Sequence, residues 1–383
     1  MIAAILGFLP LAVWLYLLLG RSAFWQLRER DDEAALPQPA RWPSVVAVVP
    51  ARDEADVIQK SFGSLLAQDY PGDFRVILVD DQSEDGTASL LRALNFEKLT
   101  ILTGADRPPS WTGKLWAMHQ GVALADEFAP DFLLFTDADI AHAPDNLSRL
   151  VARAEDGNKV LVSLMARLSC ANPSEYFLIP AFVFFFDMLF PFGAVNDPKN
   201  KLAAAAGGCM LARRSVLTVA GGIEAIRHNI IDDCALARLM KAQGPIWLGL
   251  SDRAVSLRPY SGFSEIRRMV SRSAYAQLGY SPLQLAGTLL GLMLVYIAPV
   301  AMALFGAGVA QIAGFAAWII MALLFQPILR FYRLSPFWGL LLPLIGAVYA
   351  GFTLDSAIQH WQGKGGMWKG RAQAETNIRS EGA

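Results

Sequence analysis

The sequence predicts an α/β protein, with a mostly parallel central sheet carrying helices on both faces and membrane-crossing helices flanking it at each end of the chain. Three features carry that expectation. Between residues 44 and 155, short apolar runs alternate with helix-length stretches. Met1 to Gly20 contains no charged residue. Residues 283–354 form a second apolar block, whose charged residues are Arg330 and Arg333 alone. Composition suits both parts: 54% hydrophobic and 17% charged residues over 383 positions, with mean hydropathy +0.36, is too apolar for an ordinary soluble domain and too polar for a pure membrane bundle. A formal net charge of −1 gives no field that would gather nucleic acid, so no nucleic-acid partner is expected. Cys170, Cys209 and Cys234 are far apart and form no C-x-x-C pair. They read as small buried residues of a reducing compartment.

The elements follow in order. About 20 apolar residues at a rise of 1.5 Å per residue cross a bilayer core. Arg21, Arg28 and Arg30 follow the first such stretch. A signal peptide would carry its positive charge ahead of the apolar run. Residues 1–22 are therefore expected to be a retained anchor, with the chain beyond it in the cytoplasm. Ser44 to Pro50, Arg75 to Asp80, Leu99 to Thr103 and Phe132 to Asp137 read as buried strands. Glu54 to Gln68, Thr87 to Leu94, Lys114 to Leu124 and Pro144 to Glu155 read as the helices between them. Such alternation makes a parallel sheet, and ligands bind beyond the carboxyl ends of its strands.

Those ends are acidic. The first strand runs into Arg52-Asp53-Glu54, the second ends in Asp80-Asp81, and the fourth in Asp137-Ala138-Asp139. Any one of these could be a cap or a turn. Together they repel unless a cation sits among them. A hard divalent ion, Mg2+ or Mn2+, takes oxygen ligands and bridges carboxylates to a diphosphate. In a strand the side chains of i and i+2 point the same way, so Asp137 and Asp139 could reach one ion. Lys114, in "TGKLWAMHQG", stands at a helix start, where an anion is favoured. "AAAAGGCMLARR" (Ala203 to Arg214) permits close main-chain approach. "IIDDCALARLMKAQG" opens a helix on Asp232 and Asp233, one acid more than a cap needs.

Tyr176 to Ala194 is apolar but interrupted by Pro180, Asp187 and Pro191. It is expected to lie at the membrane surface or to form a greasy acceptor groove, with a buried core helix as the alternative. Ser264 to Leu278 reads as an amphipathic helix with Arg268 and Arg272 one turn apart, suited to anionic lipid heads. Leu283 to Phe305, Ala310 to Leu329 and Phe337 to Leu354 have nearly the length of spans. Residues 357–383 form a basic tail, in which Trp368, Lys369 and Arg371 could anchor at an interface or fold back toward the site.

Taken together, "VVPARDEADVI", "VDDQSEDGT", "GKLWAMHQG", "FTDADI" and "IDDCALARLMKAQG" resemble the motifs of family 2 membrane glycosyltransferases, which have the GT-A nucleotide-diphospho-sugar transferase fold. The resemblance covers roughly Ser44 to Tyr280. Several stretches, such as "GGIEAIRHNIIDDCALA", are similar to the bacterial hopene-associated glycosyltransferases in particular. The resemblance implies a GT-A domain over residues 40–280, including an interfacial helix at 264–278, with C-terminal membrane helices over 283–356. It implies nucleotide-sugar contacts from Pro50, Arg52, Glu54, Asp80, Asp81, Lys114 and Asp137, a UDP sugar being the favoured donor. It implies a metal at Asp137 and Asp139, a catalytic base at Asp233 beside Asp232, and a leaving-group role for Arg272, which alone survives of the family's Q-x-x-R-W. The expected activity is inverting, metal-dependent transfer to a membrane lipid, associated with hopanoid glycolipids. Transfer to polyprenyl phosphate or polysaccharide, or an inactive scaffold, are the alternatives. The expected location is the bacterial inner membrane, multi-pass, with the catalytic domain facing the cytoplasm.

Overall fold

A computed structural model describes residues 2–32, 35–94, 96–368 and 371–372. The chain forms two compact units. One is built from Glu29–Leu168 and Val195–Arg258, the other from Met1–Arg28, Ser169–Ala194 and Pro259–Gly365.

The first unit is the expected α/β layer structure. Its strands are β1 (Val45–Ala51), β2 (Phe74–Asp80), β3 (Leu99–Thr103), β4 (Phe132–Thr136), β5 (Ile140–His142), β6 (Leu161–Arg167), β7 (Cys209–Arg213) and β8 (Ile246–Ser256). They form one sheet in the order β3-β2-β1-β4-β7-β6-β8-β5. β1, β2, β3 and β4 pair in parallel, as do β6 and β8. β7 runs antiparallel to both β4 and β6, and β5 antiparallel to β8. The sheet is thus mixed, with β5 and β7 reversed and the other strands sharing one direction. β1 is buried along its whole length, as a strand covered on both faces must be, and its valine-rich sequence fits that position. Cys209 and Cys234 are buried, and no disulfide joins the cysteines among the described residues.

One helix start differs markedly from the sequence pattern. The helix expected from Glu54 begins at Ile58. Asp53 has φ +50°, and the Glu54 amide donates to the Thr87 hydroxyl at 2.9 Å, so residues 53–57 form a turn rather than helix. The helix Gly113–Ala125 starts at Thr112, whose hydroxyl accepts from the Leu115 amide, and it packs flat on the sheet. A Cβ on Gly121 would stand 2.4 Å from Val48 Cγ1 and 2.9 Å from Val79 Cγ2. At the other end of the sheet, the segment at Asp31 is pinned to β8. Asp31 N–H donates to the Leu250 carbonyl at 2.9 Å, and the buried Asp31 carboxylate lies 3.2 Å from Arg153 and 3.5 Å from Arg149 and Arg253.

The second unit is helical. It contains Ile2–Leu19 and three helices long and apolar enough to cross a membrane: Pro282–Phe305, Gly308–Phe331 and Pro336–Trp361. The last three match the expected C-terminal spans. Pro173–Leu189 opens on a capping box between Asn172 and Glu175 and is a packed interior helix rather than one lying on a surface. Phe184 meets Phe325, Phe185 meets Tyr296 and Tyr349, and Tyr349 Oη donates to the Leu178 carbonyl. The single helix expected over 264–278 is two, Phe263–Ser271 and Ala274–Gln277. Ser356 causes the break: its hydroxyl accepts from Tyr275 N–H and donates to the Ser271 carbonyl, entering the ladder where those two groups would otherwise bond each other. Of the tail motif, Trp368 and Arg371 lie in a short hairpin, while Lys369 falls outside the described residues.

Gly121→Ala tests the sheet packing. In an open helix that change gains roughly 0.8–1.0 kcal/mol. Against Val48 it is expected to cost about 1–3 kcal/mol, read as a lower melting temperature in detergent. A higher one would contradict the packing described.

Candidate active site

The site is built at the common carboxyl edge of β1, β2, β4 and β8. After β1 and β2 the two acidic loops interlock. Asp53 N–H donates to Ser83 Oγ at 3.0 Å, and the Asp53 carboxylate accepts the Glu84 amide at 2.9 Å. Ala55 N–H donates to Asp85 at 2.8 Å. Arg52 is buried, forms an ion pair of 3.8 Å with buried Asp81, and donates to the Asp81 carbonyl. Asp80 accepts the Ser83 amide at 3.2 Å. Pro50, the next-to-last residue of β1, pairs in register with Val79. Arg52, Glu54, Asp80 and Asp81 therefore lie in two interlocked loops, all four buried.

β4 ends at Thr136, one residue short of the expectation, and Asp137 to Asp139 form a turn closed by Ile140 N–H on the Asp137 carbonyl at 3.2 Å. This corrects the strand geometry inferred for the D-x-D pair. The two carboxylates take different cations: Asp137 lies 2.8 Å from Lys114 Nζ, and Asp139 lies 3.2 Å from Arg258 Nε. The turn is held from below. Thr136 Oγ1 donates to the Gly208 carbonyl at 2.9 Å and lies 3.0 Å from His142 Nε2, while His142 Nδ1 meets Asn146. Burial pushes the His142 imidazole down to about 4, so it is a neutral supporting group and no base.

Lys114 joins the two ends of the site. Its ammonium touches Asp137 and, at 3.0 Å, Asp232. Burial opposes its charge, but Asp137, Asp232 and Asp233 outweigh that and hold it above the usual lysine range. Asp232 and Asp233 open the helix Asp232–Lys241. Asp233 accepts N–H bonds from Gly207 at 3.0 Å and Cys234 at 2.7 Å. Burial, then the charge of Asp232, push its carboxyl up to about 6, against the pull of Lys114 and the two amides. Asp137 is likewise raised, by burial first, with Lys114 opposing. A Cβ on Gly207 would stand 3.3 Å from Lys114 Nζ and 3.5 Å from Asp233 Oδ2. The small residues of "AAAAGG" are what let the main chain approach both groups.

Arg258 was not anticipated. It follows β8, and the register Ile140↔Ser256, extended by Leu257 N–H on the Asp139 carbonyl at 2.7 Å, delivers its side chain to the D-x-D turn. Its guanidinium also pairs with Glu54. An arginine just past a strand that shares the sheet's common direction was the available signal, but the direction of β8 was not legible. Arg272 belongs to the helical unit, where it is exposed and follows the helix Phe263–Ser271.

Five carboxylates, those of Glu54, Asp137, Asp139, Asp232 and Asp233, gather around Lys114 and Arg258. That gathering, and the hard oxygen donors, suit Mg2+ or Mn2+ completed by substrate phosphates. No cluster of three or more metal-ligating side chains exists among the described residues, so Asp137 and Asp139 would need a ligand's oxygens to complete a site.

Fold and site together define a GT-A-like α/β protein. A mannosyltransferase from Pyrobaculum calidifontis, solved in complex with GDP-Man and Mn2+, superposes with TM-score 0.54 at 19% identity over 93% of this chain and 99% of its own. Residues 46–219 match the family model of glycosyl transferase family 2, and this segment is a family 2 glycosyltransferase domain. Proteins named N-acetylglucosaminyltransferase from Mesorhizobium japonicum and Rhizobium leguminosarum bv. viciae are 28% and 27% identical, over 37% and 36% of this chain. The matched segments span about a third of those relatives, 32% and 31%.

Lys114→Met removes the counter-charge that Asp137, Asp232 and Asp233 share. We expect at least a roughly tenfold loss of kcat/KM, the scale of one lost charge-assisted bond, and an acid limb moved to higher pH. An unchanged limb would show that Lys114 does not act on Asp233.

Proposed function

We propose that the protein transfers a sugar from a nucleotide sugar to a hydroxyl of a membrane lipid, with inversion at the anomeric carbon. The observation that carries this reading is the Lys114 bridge between Asp137 and Asp232, which joins the donor-side acid to the acids at the start of the Asp232 helix.

In this mechanism Glu54, Asp80 and Asp81 hold the nucleoside, with Arg52 bracing Asp81. Asp233 accepts the proton of the acceptor hydroxyl as its oxygen bonds to the anomeric carbon. The bond from that carbon to the diphosphate breaks, and the nucleoside diphosphate leaves with the electron pair. Lys114 stabilises the charge developing at the site. Asp137 and Asp139 would hold Mg2+ or Mn2+ with the donor's phosphates, and the ion when bound supplies positive charge for the leaving group. A carboxyl near 6 suits a base at neutral pH, where it is largely ionised yet more basic than a free aspartate.

The favoured donor is a UDP sugar, with N-acetylglucosamine the first to test on the names of the relatives. Three helices able to cross a membrane among the described residues support a multi-pass membrane protein; with it we propose a lipid acceptor, the bacterial inner membrane and a catalytic unit facing the cytoplasm. A hopanoid-associated glycolipid is the product we favour. Lipid mass spectrometry of a deletion strain against its complemented parent would reveal it as a missing glycosylated species.

Asp233→Asn should cost on the order of 10²–10⁴-fold in turnover while nucleotide binding stays near normal. In the unsubstituted protein kcat/KM should fall as pH drops through about 6, because protonated Asp233 cannot accept a proton. A flat profile from pH 5 to 8, or near-normal turnover of the variant, would remove Asp233 from this role.

A further inference from the structure

We propose that Arg258 is a ligand of the donor's diphosphate, a role the sequence pattern had suggested for Arg272. This rests on the nucleotide-sugar reading above. Arg258 touches acids from two loops of the site. On one side its Nη2 meets Glu54, in the loop interlocked with Asp80 and Asp81; on the other its Nε lies 3.2 Å from Asp139 of the D-x-D turn. The bonds come from sequence separations of 204 and 119 residues, so the position is made by the fold and not by a local motif.

The chemistry of the group fits the task. A guanidinium has more N–H donors than these contacts use, and Nη1 makes no hydrogen bond among the described residues. The side chain is 37% exposed, so those donors can reach a ligand. A planar, permanently charged fork matches the paired oxygens of a phosphate. Two carboxylates pin it, so little side-chain freedom is left to lose on binding.

The test is calorimetry on the full chain in detergent with Mn2+ present. UDP, GDP and dTDP are titrated into the unsubstituted protein, and the best of them is compared with its bare nucleoside in Arg258→Ala. We expect diphosphate affinity to fall roughly ten- to a hundredfold, the range of a lost charge-assisted hydrogen bond, with nucleoside affinity unchanged. Arg258→Gln keeps amide donors for Glu54 or Asp139 but lacks the charge; it should show the same selective loss and is read in place of the alanine variant if that one fails to fold. Equal loss for diphosphate and nucleoside would make Arg258 a brace for Glu54 and overturn the proposal, as would unchanged diphosphate binding. Failure of the unsubstituted protein to bind any of the three diphosphates would instead overturn the nucleotide-sugar reading itself.

Discussion

One ammonium group organises this site. Lys114 stands where the end of β4 and the start of the Asp232 helix face each other, within 3.0 Å of a carboxylate from each. Without a cation there, Asp137, Asp232 and Asp233 would be a half-buried cluster of like charges, which costs free energy in proportion to its burial. With it, the three acids can share one pocket while Asp233 remains basic enough to take a proton near neutral pH.

The fold explains how such distant residues meet. Six strands run in one direction, so their carboxyl ends deliver side chains to one edge. Reversed β7 is wedged between β4 and β6 and starts just after Gly207 and Gly208; the missing side chain of Gly207 leaves room for Lys114 and Asp233. Reversed β5 carries the chain from the D-x-D turn to β8, and that pairing brings Arg258 to Asp139. Lys114 is thus placed by the start of its helix, and Arg258 by the pairing of β8 with reversed β5.

Much of this was legible in the sequence, for physical reasons. β1, β2 and β4 are apolar runs because both faces are covered, and their acidic ends stand out against that background. Lys114 stood at a recognisable helix start. The failures share a cause: each involves a partner remote in sequence. Ser356 splits a helix 81 residues away, Thr87 holds Glu54 out of the helix that periodicity would assign to it, and Arg258 depends on a strand direction no local pattern encodes. The tryptophan and glutamine of Q-x-x-R-W are missing from the sequence, which directed attention to Arg272 and away from the arginine that touches the acids.

The domain over residues 46–219 is of glycosyl transferase family 2, and the charge arrangement just described gives that fold a route to chemistry. The central claim is that the acids closing β4 and those opening the Asp232 helix serve one ligand. Anomalous scattering from a crystal grown with Mn2+ and a nucleoside diphosphate tests it most directly. The account predicts a manganese peak in contact with Asp137 or Asp139, with the diphosphate on the Lys114 side and Asp233 facing the same cavity. Manganese and nucleotide bound away from both carboxylates, or Asp233 turned out of that cavity, would contradict it.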